Sequence, residues 1–452
     1  MPPHLISATA AATAAAAPSN CGGSTLQMAK GRTDPPSPAV DEELAKRAGA
    51  VFPGLKWTRT PMAALTQLGA PAFYERGYGA RLLGADGREF VDLMCGFGCN
   101  FLGYAHPSVE RAVNAQATVG ACLSGPTERS VELAEELVSF FPHADWALMA
   151  KNGSDTTSIA RLICRAHTKK RVLLVEGGAY HGTPAPWHEG MPGVLPEDHA
   201  HQINYVFNDV ESLHKAAEAA GDDLAGIFAG GFSYPLAAPA QMPTKEFAQA
   251  CRDLADRTGA LLVLDDIRCT LRIDARGSWA PLGVQPDISV HCKSIANGHP
   301  FSAMVGKDIC KDAAAKIFST GTYWVSPAPM AAALEVLRIV KESDALERMH
   351  KAGDDICNGF RALAQKHGVA AQVTGPHTMP IITFDADMAE AGNTRDRPRS
   401  VAFATKVIDE GVLIHPTHNF FLSAAHDARD VEQVLKAFDA GLAAVKEQFA
   451  EC

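Results

Sequence analysis

The sequence has no excess of positive charge and no long hydrophobic run. Its 41 lysines and arginines are outnumbered by 51 acidic residues, which gives a net charge of −10. Proteins that bind nucleic acid or anionic membranes usually present a basic patch, so neither is an expected partner. The longest uniform apolar stretch, residues 8–17, contains threonines and is too short to span a bilayer.

The eleven cysteines form no CxxC pair and are odd in number. A disulfide framework would need an even, regularly spaced set, so these thiols are expected to be reduced. Cys95 and Cys99 have a spacing that could hold a metal, but no further histidine or cysteine follows at ligand spacing. The sequence therefore predicts no metal site and a reducing compartment, the cytoplasm.

The N-terminal stretch is rich in alanine, serine, threonine and proline, and it has no lysine or arginine before Lys30. A secretory signal needs an early positive charge, and a transit peptide usually carries arginines. We expect residues 1–40 to form a disordered tail. Cleavage of an organelle-import peptide remains an alternative.

Beyond the tail, apolar runs alternate with helical patterns from about residue 105 to 330. Strands are predicted at 146–150, 172–176, 227–229, 261–265, 288–291 and 303–306. This alternation is typical of an α/β protein with a mostly parallel sheet. A hairpin with an Asp-Gly turn is predicted within residues 73–92, and one long amphipathic helix is predicted from Pro329 to about His350 or beyond.

A chain of 452 residues is long enough for two or three closely packed domains. The expected organisation is an N-terminal segment, a large domain and a C-terminal small domain, at residues 41–104, 105–330 and 331–452.

Two chemically reactive side chains stand at the ends of predicted strands. Lys293 follows the apolar run 288–291, and Asp265 ends the run that begins at Leu261. Ligands of parallel sheets bind beyond the carboxyl ends of the strands. A pyridoxal phosphate enzyme requires this pair, because the lysine binds the aldehyde and the aspartate keeps the pyridine nitrogen protonated. An ordinary ion pair between strand ends would give the same pattern.

Three other segments fit a phosphate and a flat ring. Gly153 and Ser154 open a predicted helix directly after a strand, where free backbone N–H groups and the helix dipole favour an anion. Tyr180 and His181 lie in a glycine-rich loop, where an aromatic ring can stack on a cofactor. Thr322 precedes the long helix and could donate a hydrogen bond to phosphate. Taken singly, each segment is also compatible with a plain turn, a packing tyrosine or a helix start.

Taken in order, these segments resemble the class III aminotransferases of subgroup II, a pyridoxal phosphate family that includes glutamate-1-semialdehyde aminomutase. The run ending in Asp265 resembles the family's Asp-Glu stretch, and the gap of 28 residues to Lys293 (293 − 265) matches the family spacing. The resemblance covers roughly residues 42 to 445. Three further segments resemble the family's phosphate turn, its Tyr-His-Gly motif and its cross-subunit phosphate segment: Lys151–Asp155, Tyr180–Gly182 and Gly321–Pro327.

The resemblance implies the fold of type I pyridoxal phosphate transferases. In that fold a large domain contains a mostly parallel seven-stranded sheet, and a small α+β domain is built from the N- and C-terminal segments. It further implies that the cofactor forms a Schiff base with Lys293, which also moves the proton, and that Asp265 pairs with the pyridinium nitrogen.

The same resemblance implies roles for the remaining cofactor residues. Tyr180 would stack on the ring with His181 beside it, and Gly153 and Ser154 would bind the phosphate. Thr322 would reach the phosphate of the neighbouring subunit. The expected assembly is therefore a homodimer whose active sites are completed across the interface.

Departures from the family pattern concern the substrate. The C-terminal loop lacks the arginine that many members use for a substrate carboxylate, and His418 stands where the aminomutases carry a gating glutamate. These departures point to one branch of the family, the bacterial aminotransferases of hydrolysed fumonisin. The segments that resemble this branch are residues 143–146, 151–155, 265–268, 296–298 and 415–426. That branch implies transfer of an amino group from a long-chain amino alcohol to a 2-oxo acid such as pyruvate. Phe97 and His418 are candidate substrate contacts.

Other functions remain open. Arg59 lies in a segment that resembles one in β-amino acid aminotransferases, where an arginine grips the substrate carboxylate through a bidentate fork. It would equally serve the oxo-acid acceptor or be a surface cation. An aminomutase or racemase would use the same cofactor without a separate acceptor. A non-enzymatic relative is the third hypothesis, because the family's Glu-Pro strand end is absent.

Overall fold

The central element is a seven-stranded sheet in a computed structural model of the chain, which describes residues 34–53, 65–183, 192–391 and 397–449. Arg59 lies outside these residues, as does nearly all of the predicted tail. The strands, in chain order, are β1 Tyr74–Tyr78, β2 Arg81–Gly84, β3 Glu89–Asp92, β4 Trp146–Ala150, β5 Val172–Glu176, β6 Gln202–Tyr205, β7 Leu224–Gly230, β8 Leu261–Asp265, β9 Ile288–His291, β10 Ser302–Gly306, β11 Ala371–Thr374, β12 Ile381–Phe384 and β13 Val412–Leu413.

The strand order of the large sheet is β4-β10-β9-β8-β7-β5-β6. Strands β6, β5, β7, β8 and β9 pair in parallel, whereas β10 runs antiparallel to both of its neighbours. The predicted α/β class and the mostly parallel sheet are confirmed. Parallel neighbours end at the same edge of the sheet, which brings the segments after β5, β7, β8 and β9 together.

Helices cover the sheet and build the rest of the fold. In chain order they are α1 Pro38–Val51, α2 Pro107–Val119, α3 Glu128–Phe140, α4 Gly153–Thr168, α5 Val210–Ala220, α6 Lys245–Thr258, α7 Lys311–Lys316, α8 Pro327–Glu342, α9 Ala345–His367, α10 Asp385–Ala391, α11 Pro398–Asp409 and α12 Ala428–Gln448. None of the helices in the described ranges is long and apolar enough to cross a bilayer.

Strand β8 is buried on both faces of the sheet. Its consecutive side chains point to opposite sides, and helices cover each side. Leu262 and Leu264 pack against α5 and α6 in one apolar cluster. Leu261 and Val263 pack against α4 in a second cluster. The continuous apolar run that predicted this strand thus reflects two separate cores, with Asp265 as the first polar residue at the strand's end.

A smaller sheet joins the two ends of the chain. Its order is β1-β2-β3-β13, and β13 pairs in parallel with β3 through Val412 opposite Val91. N- and C-terminal segments therefore share one sheet, as the fold-type resemblance implied. The domain boundaries at residues 104 and 330 stay a prediction.

Two predicted elements need correction, and one strand of the large sheet was not predicted. Residues 73–92 form three strands rather than one hairpin, and the predicted Asp-Gly turn joins β2 to β3. The long helix from Pro329 is interrupted: Ser343 is extended, and its hydroxyl donates to the Ile339 carbonyl at 2.7 Å, which ends α8 before α9 begins. Strand β6 was missed because it is a short, partly polar edge strand.

Removing a buried side chain of β8 should destabilise the protein strongly. Leu262→Ala is expected to lower the free energy of unfolding by ~2–5 kcal/mol, because Leu262 is fully buried and a cavity would remain. Val131→Ala is the matched control, since Val131 is 58% exposed and its loss should change stability by less than ~0.5 kcal/mol. Urea unfolding of both variants measures the difference. Equal losses would contradict the assignment of β8 to the core.

Candidate active site

Lys293 and Asp265 lie at the same edge of the large sheet. Strands β8 and β9 are parallel neighbours, with Asp265 opposite Val290, so that Lys293 lies three residues beyond the end of the pairing. Lys293 has a left-handed backbone (φ 50°) and opens a short 3-10 turn that carries its half-buried side chain away from the strand. The negative charge of Asp265 acts on the Lys293 amine, so the two side chains lie near each other at this edge; the space between them is called the crevice below.

The Asp265 carboxylate is held in place from two sides. Its Oδ2 lies 2.7 Å from Nδ1 of the buried His181, and its Oδ1 accepts the backbone N–H of Ile267 at 3.1 Å. The neighbouring carboxylate, Asp266, points elsewhere and accepts the backbone N–H of Ser278 at 2.9 Å. Burial raises the pKa of Asp266 to about 6. Of the two adjacent acids, Asp265 is therefore the one oriented toward Lys293.

The N-terminus of α4 lies beside these residues. Asp155 accepts the backbone N–H of Asn152 at 2.9 Å, which closes the first turn. Ser154 Oγ accepts the N–H of Thr183 at 2.9 Å and keeps its own hydrogen for another acceptor. A Cβ on Gly153 would lie 2.5 Å from Cδ1 of Ile267, so glycine permits this close packing. The α4 N-terminus thus offers N–H and O–H donors to an anion.

The loop after β5 is tied to the same helix. Thr157 Oγ1 donates to the His181 carbonyl at 2.6 Å, and a Cβ on Gly182 would lie 2.6 Å from Ser154 Oγ. This loop carries Tyr180, which is 36% exposed. The structure therefore brings Gly153, Ser154, His181 and Tyr180 to the edge where Lys293 and Asp265 lie.

Thr322 lies on an exposed loop before α8. Its side chain is exposed, and its carbonyl accepts a weak hydrogen bond from the thiol of Cys122 at 3.7 Å. The expected contact with a neighbouring subunit stays a prediction. No group of three or more metal-ligating side chains occurs within the described ranges.

The candidate substrate residues Phe97 and His418 meet edge to face, with ring centroids 5.6 Å apart. His418 Nδ1 donates to the Asn419 carbonyl at 2.6 Å, and its Nε2 accepts from Arg268 Nη1 at 3.3 Å. Burial, assisted by the Arg268 cation, lowers the pKa of His418 to about 2. His418 is therefore a neutral side chain at neutral pH.

Arg268 lies in a segment that resembles the fumonisin aminotransferases, but the sequence alone gives it no role. Its guanidinium carbon lies 3.7 Å from the centre of the Tyr234 ring, and Nη1 donates to Asn419 Oδ1. Its partners come from segments far along the chain, which no local pattern connects.

Arg272 holds three segments around the crevice. Its guanidinium is fully buried and donates to the carbonyls of Gly98 and Leu422, at 2.9 and 2.5 Å. Its Nε donates to Ser294 Oγ at 3.0 Å, directly beside Lys293. Burial lowers the pKa of Arg272 to about 10, which leaves it protonated at neutral pH.

The Lys293 amine is shifted toward its neutral form. Burial, followed by repulsion from Arg268, lowers the pKa of Lys293 to about 8. A substantial fraction of such an amine is unprotonated near neutral pH, as a nucleophile and proton carrier requires. Together with an anion site at a helix N-terminus and an anchored aspartate, this donor set fits pyridoxal phosphate.

Comparison with known proteins agrees with this chemistry. The family model for class-III aminotransferases matches residues 63–428. The chain therefore belongs to the class-III aminotransferase family and is a pyridoxal phosphate-dependent transaminase of fold type I.

Two relatives and one solved structure show which members of the family this chain is similar to. The chain is 40% identical over 410 residues to the aminopentol aminotransferase of Sphingopyxis macrogoltabida, covering 90% of this chain and 95% of that protein. It is 31% identical to the 3-aminobutyryl-CoA aminotransferase of Cloacimonas acidaminovorans, covering 83% and 90%. The solved internal aldimine form of the Sphingopyxis sp. MTA144 FumI protein superposes with a TM-score of 0.86 at 40% identity, covering 91% and 98%.

The lowered pKa of Lys293 predicts how the rate of acylation of its amine depends on pH. In protein freed of cofactor, labelling of Lys293 by an amine-acylating reagent should rise through pH about 8 and level off above it, since the amine is neutral above its pKa. Peptide mass spectrometry measures the labelling. In Arg268→Leu the midpoint should move upward, because a nearby cation is removed. A wild-type midpoint near the ordinary lysine value of ~10.4 would contradict this environment.

Proposed function

We propose that this transaminase moves an amino group from an amine donor without an α-carboxylate, of the long-chain amino-alcohol class, to a 2-oxo acid such as pyruvate. The donor class rests on the 40% identity to aminopentol aminotransferase along 90% of the chain. The local chemistry supports it, because the neutral His418 ring packs with Phe97 and Phe421, a surface suited to an alkyl chain.

The proposed residue roles follow from the contacts. When bound, pyridoxal phosphate supplies an electron sink for negative charge at the carbon that bears the amino group. Lys293 Nζ takes and moves the proton of that carbon, and its lowered pKa suits both directions of transfer. Asp265, oriented by His181 Nδ1, holds the proton on the ring nitrogen. Backbone N–H groups at Gly153 and the hydroxyl of Ser154 bind the phosphate.

The donor side of the pocket is formed by Phe97, His418 and Phe421. The His418 ring lies 6.0 Å from that of Phe421 and 5.6 Å from that of Phe97. Because His418 is uncharged, this wall neither attracts nor repels a substrate carboxylate. Tyr180, on the β5 loop, stacks on the cofactor ring in this proposal.

A donor with its amine at the β position is the second candidate. The 31% identical relative is named for 3-aminobutyryl-CoA, which carries such an amine. In this alternative Arg59 would bind a substrate carboxylate. An aminomutase reaction is the third candidate and would need no separate acceptor.

The proposed working form is a homodimer in a reducing compartment, the cytoplasm. Thr322, on its exposed loop, completes the phosphate site of the partner subunit in this proposal. The nine cysteines within the described ranges are all unpaired, which supports a reducing compartment.

A donor panel tests the proposed reaction. With pyruvate as acceptor, a long-chain amino alcohol should give a higher kcat/KM than 1-phenylethylamine or β-phenylalanine. Lys293→Ala should lower transfer from every donor by at least ~100-fold, because proton transfer is lost. Lys366→Ala is the matched control, since Lys366 is exposed and pairs with Asp439 away from the crevice.

Three results of that panel would redirect the proposal. Preference for β-phenylalanine, abolished by Arg59→Ala, would favour the β-amino acid function. Turnover without pyruvate would favour an aminomutase. Retention of transfer in Lys293→Ala would refute the assignment of that lysine.

Subunit mixing tests the shared site. Lys293→Ala and Thr322→Ala should each reduce activity, because each removes one component of every site. Mixed dimers should recover about a quarter of wild-type activity, since half of the dimers are mixed and each has one complete site. Rates measured after unfolding and refolding the mixture provide the test. Absence of recovery would place Thr322 in its own subunit's site or in none.

A further inference from the structure

Arg268 is a buried cation with an incomplete set of partners. Its side chain is 8% exposed and its guanidinium lies over the Tyr234 ring. Nη1 is bound by Asn419 Oδ1 and His418 Nε2. Within the described ranges no carboxylate comes within ion-pair distance of Arg268, and Nε is buried without any hydrogen-bond partner.

The remaining donors have the arrangement that a carboxylate requires. Nε and Nη2 form one edge of the guanidinium, and neither donates a hydrogen bond to any described residue. Carboxylates bind such an edge through two parallel N–H···O bonds. A buried cation without a counter-ion is unfavourable, so an anionic ligand would stabilise this side chain in its observed position.

Arg268 also lies beside the reacting groups. It follows Asp265 by three residues, and its charge acts on the Lys293 amine. Tyr234, on which it stacks, donates through its hydroxyl to the Tyr180 carbonyl at 3.4 Å. A ligand bound to Arg268 would therefore contact the crevice that contains Lys293 and the Tyr180 loop.

We propose that Arg268 binds the carboxylate of the 2-oxo acid acceptor, so that one arginine close to Asp265 serves as the acceptor site of this chain. The inference rests on the proposed function and adds the residue that selects the acceptor. During reaction with the donor, which has no carboxylate, Arg268 stays on Asn419, His418 and Tyr234. When the oxo acid enters, the side chains around Arg268 move enough for its carboxylate to reach the unpaired Nε and Nη2 edge.

The neutral state of His418 is a necessary part of this arrangement. Its Nε2 accepts a hydrogen bond from Arg268, which only an unprotonated ring nitrogen can do. His415, with its ring 6.0 Å from that of His418, is also neutral because burial lowers its pKa to about 4. Neither histidine therefore carries a charge that would compete with Arg268 for the substrate carboxylate.

Separate half-reactions of the holoenzyme test the proposal. In single-turnover experiments, the first uses a long-chain amino alcohol and the second uses pyruvate, each followed by the cofactor's visible absorbance. Arg268→Leu should raise the pyruvate concentration needed for half-maximal rate by roughly 10- to 100-fold, because charged hydrogen bonds to the carboxylate are lost. At a pH well above the Lys293 pKa of both proteins, where the effect of Arg268 on that amine no longer matters, the donor half-reaction should change by less than ~3-fold.

Two controls separate carboxylate binding from a structural role. Propanal is an acceptor without a carboxylate, so wild type and Arg268→Leu should use it at similar rates. Arg268→Lys should restore part of the pyruvate affinity, since it keeps the charge without the fork. Propionate, a carboxylate that cannot react, should inhibit the wild type competitively against pyruvate and inhibit Arg268→Leu much more weakly.

Several outcomes would overturn the proposal. Equal losses with pyruvate and propanal, loss of cofactor absorbance, or a matching loss in the donor half-reaction would make Arg268 a positioning residue only. Loss of pyruvate affinity in Arg59→Ala but not in Arg268→Leu would assign the carboxylate to Arg59. In each case, transfer from amine to oxo acid by the wild type would still support the proposed function. If the proposed function itself is wrong, the wild type will show no such transfer.

Discussion

The buried guanidinium of Arg272 is the interaction on which the crevice depends. It joins the turn after β3, the segment that begins with Lys293, and the C-terminal loop through Gly98, Ser294 and Leu422. These segments are far apart in sequence, and no carboxylate within the described ranges pairs with this cation. Carbonyl and hydroxyl oxygens satisfy it instead, so its orientation is determined by two backbone carbonyls and one side-chain hydroxyl. Where those positions meet, Lys293 and the wall of Phe97, His418 and Phe421 come together.

The backbone around Arg272 accepts strain to permit this arrangement. Cys95, Gly96, Phe97 and Gly98 all have positive φ, and two of them are not glycine. A Cβ on Gly98 would lie 2.7 Å from the Phe421 ring, so only glycine fits there. Left-handed residues other than glycine persist when surrounding contacts hold them. The amide of Cys95, bound at 2.9 Å by the buried Asp92 carboxylate, is one such contact.

Much of the large sheet was predictable because its strands are short apolar runs with polar ends. The meeting of Lys293 and Asp265 was also predictable, since parallel strands end at one edge. The edge strand β6 and the break at Ser343 were not, because local polarity and a single side-chain hydrogen bond decided them. Arg268 was missed for a different reason: its meaning comes from Asn419 and His418, about 150 residues away, as the sequence separations of 151 and 150 record.

The electrostatics of the crevice suit a site that alternates between unlike substrates. Lys293 is a weakened cation, His418 and His415 are neutral, and Arg268 keeps a permanent charge near the Tyr234 ring. An alkyl amine meets the neutral wall, whereas an oxo acid meets the guanidinium. Because the Arg268 charge lies to one side of the neutral wall, one site accepts both substrates and no second pocket is needed.

The pairing of β13 with β3 has a consequence for biosynthesis. Strand β3 ends at Asp92, but its partner begins at Val412, 320 residues later (412 − 92). At ~5–20 residues per second, the ribosome needs on the order of tens of seconds to deliver that partner. Throughout this interval the nascent chain exposes an unpaired strand edge, which is a template for aggregation. Faster elongation or a chaperone bound to this edge would therefore reduce the aggregation of newly made protein.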